Sequence, residues 1–343
     1  MNKGFRLLTL ATAGAMAFAS FAASGPALAQ DGAGRAATDL EVSPMSRVPK
    51  ARAEQRASGE DSRVIGGTVA ATGAWPFQVA LLTSGMLDQN PMTNLDAQFC
   101  GGSLIAPEWV LTAAHCLIQF GQTANPQDIT VLVGATHLTE GERIPAEEII
   151  VHEGYHPSGF DHDIGLIRLS RASTQPAIKL TDTDLENGAA MVTGWGKMEN
   201  GGFPDTLLQA DIELVPNGAC NDGIKQIYAR DLRLVLGNFG QRMRVTQEGI
   251  ENATRFIVDA MADPLTPNML CAGTTSGVRD ACNGDSGGPL FTTSGDAPVQ
   301  VGIVSWGEGP LDSNIACGHK NAYGVYARVS RYKDWIADKS GVK

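Results

Sequence analysis

The sequence predicts an all-β barrel or sandwich, and three observations point there. Beyond residue 67, short apolar runs of strand length follow one another, each bounded by turn-forming residues. Helical spacing is confined to two places, a stretch between Cys220 and Cys271 and the C-terminus. Hydrophobic residues make up 43% of the 343, enough to bury a core and to exclude a wholly disordered chain. The length allows one large or two ordinary domains.

The chain opens with Lys3 and Arg6, an apolar, Ala-rich run over 7–23, and Ala27-Leu28-Ala29 before Gln30. That succession of basic, apolar and small-residue segments is the pattern of a cleaved secretory signal over residues 1–29. The apolar run is short and rich in small residues for a membrane anchor, and no later segment is apolar enough to span a bilayer. An exported protein, secreted or periplasmic and free of the membrane after signal removal, is therefore expected. Such a compartment permits disulfides. The six cysteines, none in C-x-x-C spacing, fit disulfides better than zinc.

Residues 30–63 are rich in Ala, Gly, Arg, Glu and Ser with little periodicity, and read as a flexible segment. The segment ends at Arg63, ahead of Val64-Ile65-Gly66-Gly67. A basic residue before two β-branched residues and a glycine pair is a candidate processing site, although a plain strand start after a linker looks the same. Residues 1–63 hold 8 of the 26 Lys and Arg and 6 of the 37 Asp and Glu, so the remaining 280 carry −13. The formal charge of the whole chain, −11, argues against non-specific nucleic-acid binding, which needs a basic face.

Strands are expected over 75–82, 102–105, 109–112, 129–133, 149–152, 164–169, 190–194, 209–215, 299–306 and 324–329. Between Cys220 and Cys271, Ile224, Ile227 and Tyr228, and then Ile250, Ala253, Ile257, Ala260 and Met261, are spaced for two amphipathic helices. Pro264 is expected to end the second. Their apolar faces are expected to pack on the β core. Tyr332, Trp335 and Ile336 predict a short C-terminal helix over 331–339.

Chemistry concentrates in Asp280-Ala281-Cys282-Asn283-Gly284-Asp285-Ser286-Gly287-Gly288-Pro289. A plain tight turn has the same composition, and a serine hydroxyl needs a base to become a nucleophile. His115 suits that task within Thr112-Ala113-Ala114-His115-Cys116, where small residues precede it and an expected disulfide cysteine restrains it. His137, His152, His156, His162 and His319 have no such setting. Asp163 leads into the apolar run Ile164-Gly165-Leu166-Ile167. A carboxylate there is costly unless a donor such as an imidazole N–H meets it. Asp161 is its rival and, farther from the run, is expected to be solvated.

Six motifs occur in the order seen in the trypsin-like (chymotrypsin-fold) serine proteases. They are Val64-Ile65-Gly66-Gly67, Thr112-Ala113-Ala114-His115-Cys116, Asp163-Ile164-Gly165-Leu166, Gly194-Trp195-Gly196, Gly284-Asp285-Ser286-Gly287-Gly288-Pro289 and Ser305-Trp306-Gly307. The chain resembles that family from residue 64 to about 340. The resemblance implies an all-β fold of two six-stranded antiparallel β-barrels, about 75–175 and 180–330. The expected fold is thus two barrels with the short C-terminal helix and a helical insertion between Cys220 and Cys271.

The resemblance further implies a serine endopeptidase in which Ser286 attacks, His115 moves the proton and Asp163 orients the imidazole, with Gly284 and Ser286 N–H groups as the oxyanion hole. Asp280 would lie at the base of the pocket for the side chain before the cut bond, with Ser305, Trp306, Gly307 and Gly324 as walls. A carboxylate there favours Arg or Lys. Ala281, where trypsins commonly have serine, tilts the preference toward Arg. Cleavage after Arg63 would free Val64, whose ammonium pairs with Asp285, and the enzyme's own specificity suits that cut. The implied disulfides are Cys100–Cys116, Cys220–Cys271 and Cys282–Cys317. No cofactor and no metal are expected: Ala135 is no ligand in the loop where trypsins bind calcium, and Tyr323 is only a weak pointer to sodium.

Three stretches depart from the compact family pattern: 84–98, the long Cys220–Cys271 loop and 308–316. They either line the cleft and narrow the choice of substrates or grow on an indifferent surface. Protein or peptide substrates are the expected partners, with protein protease inhibitors as candidates. Two other readings stand beside this one: a regulatory protease made selective by those loops, and a non-catalytic binding homologue. The second usually lacks a triad member, and all three are present here.

Overall fold

The computed structural model describes residues 43–58, 67–198, 201–274, 281, 284–293, 295, 297–312 and 323–343. Its strands follow the apolar runs of the sequence closely. In the first half they are β1 (Thr68–Val69), β2 (Gln78–Thr83), β3 (Gln98–Ala106), β4 (Trp109–Thr112), β5 (Ile118–Gln119), β6 (Gln122–Thr123), β7 (Ile129–Val133), β8 (Glu142–Val151) and β9 (Gly165–Leu169). In the second half come β10 (Lys179–Leu180), β11 (Gly188–Gly194), β12 (Leu208–Val215), β13 (Met269–Gly273), β14 (Pro289–Thr292), β15 (Val299–Gly307) and β16 (Gly324–Arg328).

Two antiparallel barrels result. The first closes in the order β2-β3-β4-β9-β8-β7. The second runs β12-β11-β14-β15-β16-β13 and returns to β12 through pairs such as Val215 with Cys271. Closure removes the unpaired edges that an open sheet would expose. The expectation of two six-stranded barrels is met. The barrels meet through Trp75, Phe77 and Phe291, the Phe77 and Phe291 rings edge to face at 5.2 Å. Buried polar pairs stitch the same seam: Ser103 Oγ donates to Gln300 Oε1 at 2.6 Å, and Thr193 Oγ1 to Gln78 Oε1 at 2.6 Å. The C-terminal helix (Lys333–Ser340) is also present, with Ile336 fully buried.

Strands β13 and β14 fall outside the strands expected from sequence, and β8 is longer than expected. Met269–Gly273 is buried at every position, so it lacks alternation, and β14 begins at Pro289, which is tolerated only at a strand's first residue or edge.

The flexible reading of 30–63 is corrected over part of its length. Residues Pro44–Ser58 form helix α1, with Met45, Val48, Pro49 and Arg52 buried. Pro44 suits the first turn, where its missing N–H costs nothing. Ser43 heads the helix, its Oγ accepting from Met45 N at 3.3 Å. The buried set follows the i, i+3, i+4, i+7 rule of a packed helix face, but two of its four members are Pro and Arg, which hid it.

Helix α2 (Thr93–Ala97) lies in the loop before β3, and α3 (Asn217–Met243) and α4 (Gln247–Asp259) form the insertion. Helix α3 packs on the second barrel through Cys220 and Ile224. The expected stripe on α4 is corrected. Ile250 and Thr254 are buried, whereas Ala253, Ile257 and Ala260 are exposed. The i, i+4 row beginning at Ile250 faces α3, so the stripe counted from sequence is rotated off the contact. The helix also ends at Asp259, ahead of Pro264.

Two of the three implied disulfides are present, Cys100–Cys116 and Cys220–Cys271. Cys282 and Cys317 lie outside the described residues. Cys220–Cys271 ties the base of the insertion across a separation of 51 residues. Replacing both by alanine is expected to lower the unfolding free energy by up to about 4 kcal/mol on the loop-entropy model. A denaturant titration measures it as a lower midpoint, with a slope that rises as the freed loop exposes more surface on unfolding.

Candidate active site

The antiparallel pairing of β4 with β9 sets Thr112 opposite Gly165. His115 lies three residues beyond one partner, in the turn Ala114–Leu117, and Asp163 two residues before the other. The pairing thus brings together two residues 48 apart in sequence. Asp163 Oδ2 lies 2.7 Å from His115 Nδ1, and Asp163 Oδ1 accepts from His115 N at 2.8 Å. Gripping both the ring and the backbone of one residue fixes the imidazole's position and turns Nε2 away from the carboxylate.

Asp163 is only 1% exposed, so its oxygens must be met by donors. A third comes from the other barrel: Ser305 Oγ donates to Asp163 Oδ2 at 2.5 Å. The sequence reading placed Ser305 in a pocket wall and missed this contact, since nothing local links residues 142 apart. Asp161 is not simply solvated. It is half-buried and accepts from Thr266 Oγ1 at 2.7 Å and Asn268 Nδ2 at 3.0 Å. Burial raises its carboxyl, but these bonds and the nearby His162 overcome that and hold it below the usual range.

Ser286 sits in the turn that precedes β14. Its carbonyl accepts from Gly101 N of the first barrel at 2.8 Å and lies 3.5 Å from Cys116 Sγ, beside His115. The loop is pinned from several sides. Gly287 N donates to Val304 O at 2.8 Å, and Gln98 Nε2 to Gly284 O at 2.9 Å. Gly284 has φ of +98°, open to glycine at little cost. Asp285 Oδ1 accepts from Gly196 N at 2.7 Å. A Cβ on Gly196 would lie 2.4 Å from the Asp285 carboxyl carbon, which explains the glycine there.

The remaining expected residues fall into two groups. Trp306 is half-buried at the end of β15, Gly307 exposed, and Gly324 buried opposite it in β16. Asp280, Arg63 and Val64 lie outside the described residues. Cys100, His115 and Cys116 bring possible metal-ligand atoms within 4.8 Å of one another, but the two sulfurs are joined to each other and are not free thiolates. The insertion reaches the loop that leaves β15. Tyr228 Oη donates to Glu308 Oε1 at 2.9 Å, Arg230 pairs with Asp312 at 2.6 Å, and Asp231 accepts from Leu311 N at 3.2 Å. Two of the three departures from the family pattern are therefore braced against each other.

A family model described as Trypsin matches residues 64–336. The chain belongs to the trypsin family. Among curated relatives in the trypsin family, it is 31% identical over 290 residues to mouse (Mus musculus) transmembrane protease serine 11G. It is 32% identical over 292 residues to human (Homo sapiens) transmembrane protease serine 11B, and 32% over 291 to mouse transmembrane protease serine 11C. Each match covers 82% of this chain and 56%, 56% and 54% of the relative, so the chain spans about half the length of the relatives it matches. No helix among the described residues is long and apolar enough to cross a membrane.

Proposed function

We propose that this chain is a serine endopeptidase, made as a zymogen and exported, that cleaves after Arg or Lys. The observation that carries the reading is the buried Asp163 carboxylate holding His115 by both ring and backbone, beside the Ser286 loop. Membership of the trypsin family supplies the chemistry.

In the proposed cycle, Ser286 Oγ attacks the scissile carbonyl carbon as its proton passes to His115 Nε2. The resulting oxyanion is met by the Gly284 and Ser286 N–H groups, where each such donor is worth about 2.7–4 kcal/mol. His115 returns the proton to the leaving amine, the C–N bond breaks, and an acyl-enzyme remains. Water then attacks, again giving its proton to His115, and releases the acid. Asp163 keeps the proton on Nδ1, so that Nε2 can accept, and stabilises the imidazolium as it forms. Ser305 holds the Asp163 oxygen that His115 needs.

Asp280 is proposed as the pocket carboxylate that selects a cationic side chain, with Trp306, Gly307 and Gly324 around it. Residues 1–29 are proposed as the export signal and 30–63 as the activation segment, with Val64 pairing with Asp285 after cleavage at Arg63. The transmembrane names of the relatives favour a second reading, an anchored enzyme held by the apolar run over 7–23. N-terminal sequencing of exported protein separates them. Protein beginning at Gln30 or Val64 is expected, whereas membrane-bound protein that retains residues 7–23 establishes the anchor. Arg63→Gln is expected to stop maturation, and normal spontaneous processing of that variant would overturn self-activation. Cleavage of a mixed-peptide library at bonds that do not follow Arg or Lys would overturn the pocket assignment.

A further inference from the structure

Helix α1 lies in a groove at the junction of the two barrels, and residues of the candidate site form its walls. From the first barrel it packs against β3, α2 and the Ala114–Leu117 turn that carries His115. From the second come Trp195, Phe203 and Gly284. Val48 Cγ1 sits 3.7 Å from where a Cβ on Gly284 would be, against the residue proposed to donate to the oxyanion. Met45 and Val48 are buried in the same cluster as Phe99, Cys116 and Phe203.

The helix is anchored by a charge. Arg52 is 2% exposed. One of its terminal nitrogens donates to Trp195 O at 2.5 Å and the other reaches Leu95 O at 3.4 Å. Its guanidinium carbon lies 4.7 Å above the Phe203 ring, a cation–π contact strengthened by desolvation. Burial pushes the guanidinium down to about 9, opposed by the fields of Asp205, Asp285 and Asp96, so it stays charged at neutral pH. Gln55 adds a two-way grip on the same residue, accepting from Phe203 N at 2.6 Å and donating to Phe203 O at 3.3 Å. Farther out, Arg56 pairs with Asp96 at 2.7 Å.

These contacts are built for a specific segment. A helix of mean polar character has no general reason to bury an arginine between two carbonyls and an aromatic face. Trp306, near the end of β15, packs in a separate cluster with Val325 and Ile224. The helix therefore covers the Gly284 flank of Ser286. On the peptidase reading, that flank adjoins the proposed oxyanion donor, past which a bound substrate chain must run.

We propose that the groove between Phe99, Trp195, Phe203 and Gly284 is a binding site for the chain's own segment Pro44–Ser58, which acts as an inhibitor there and can rebind after cleavage at residue 63. The inference rests on the peptidase reading, and its test keeps the two apart. A full-length chain carrying Ser286→Ala, with residues 59–63 exchanged for a site-specific protease sequence that leaves Val64 as N-terminus, is cut and freed of its leader. A labelled synthetic peptide of residues 43–58 is then titrated by fluorescence anisotropy. Saturable binding is expected, weakened at least about tenfold by Arg52→Ala in the peptide, a loss of about 1.4 kcal/mol or more, and abolished by Val48→Asp. The same peptide is expected to lower initial rates of the matured wild-type enzyme competitively.

Binding that is absent, or equal for the wild-type and Arg52→Ala peptides, overturns the proposal, as does binding without inhibition. A matured wild-type chain that hydrolyses nothing before peptide is added overturns the peptidase reading, and the binding arm still decides whether the groove takes this helix.

Discussion

Ser286→Ala is expected to lower kcat on an Arg-containing peptide by about 10⁶-fold, the size seen when a nucleophile of such a triad is removed. In the proposed mechanism the Ser286 hydroxyl forms the acyl-enzyme, and the proposed oxyanion donors cannot replace it. The loss should not compound. Adding His115→Ala should cost little more, because a base without a nucleophile has no proton to take. Single-turnover assays with enzyme in excess over the peptide measure both. An organophosphorus reagent should label Ser286 of the wild type and not the variant. Labelling that survives Ser286→Ala, or a double variant far below the single one, would show that another residue is the nucleophile.

Asp163→Asn is expected to lower kcat by about 10⁴-fold at neutral pH, the effect known for a misplaced imidazole proton in this kind of triad. The geometry gives the reason here. Oδ1 accepts from His115 N, while Oδ2 serves both His115 Nδ1 and Ser305 Oγ. An amide has one oxygen and one NH2 for those positions. If the oxygen keeps His115 N, the NH2 faces Nδ1, which must then give up its proton. The proton moves to Nε2, and His115 can no longer take one from Ser286. The opposite flip sets an NH2 against the His115 backbone N–H, a buried donor–donor contact that costs about 1–3 kcal/mol. Proton NMR of the imidazole nitrogens should show the tautomer change. Full activity with an unchanged tautomer would remove Asp163 from the proposed mechanism.

Much of this site was legible in the sequence because its parts are local. A serine among glycines, a histidine beside a cysteine and an aspartate before an apolar run each carry their own signal. The barrel strands were legible for the same reason, as in Ile129–Val133, where four apolar residues and Thr130 are all buried. Strand β14 escaped because Pro289 opens it, and the packed face of α4 escaped because it depends on α3. Helix α1 escaped for a different reason. Its hydrophobic content is low, and its anchor is Arg52, a residue that sequence patterns assign to solvent.

By itself, the sequence determined a β-rich fold, because strand patterns are written in neighbouring residues, and six motifs in order carried the resemblance that implied the family, the two barrels and the candidate triad. The tertiary structure decided what each of those residues leans on. It turned Ser305 toward Asp163 across the barrel junction, joined the insertion to the loop after β15, and seated helix α1 beside Gly284. Those contacts link residues 142, 80 and more than 200 positions apart, respectively. Only closing both barrels brings such groups within hydrogen-bonding or van der Waals distance, and no local spacing in the chain encodes that approach.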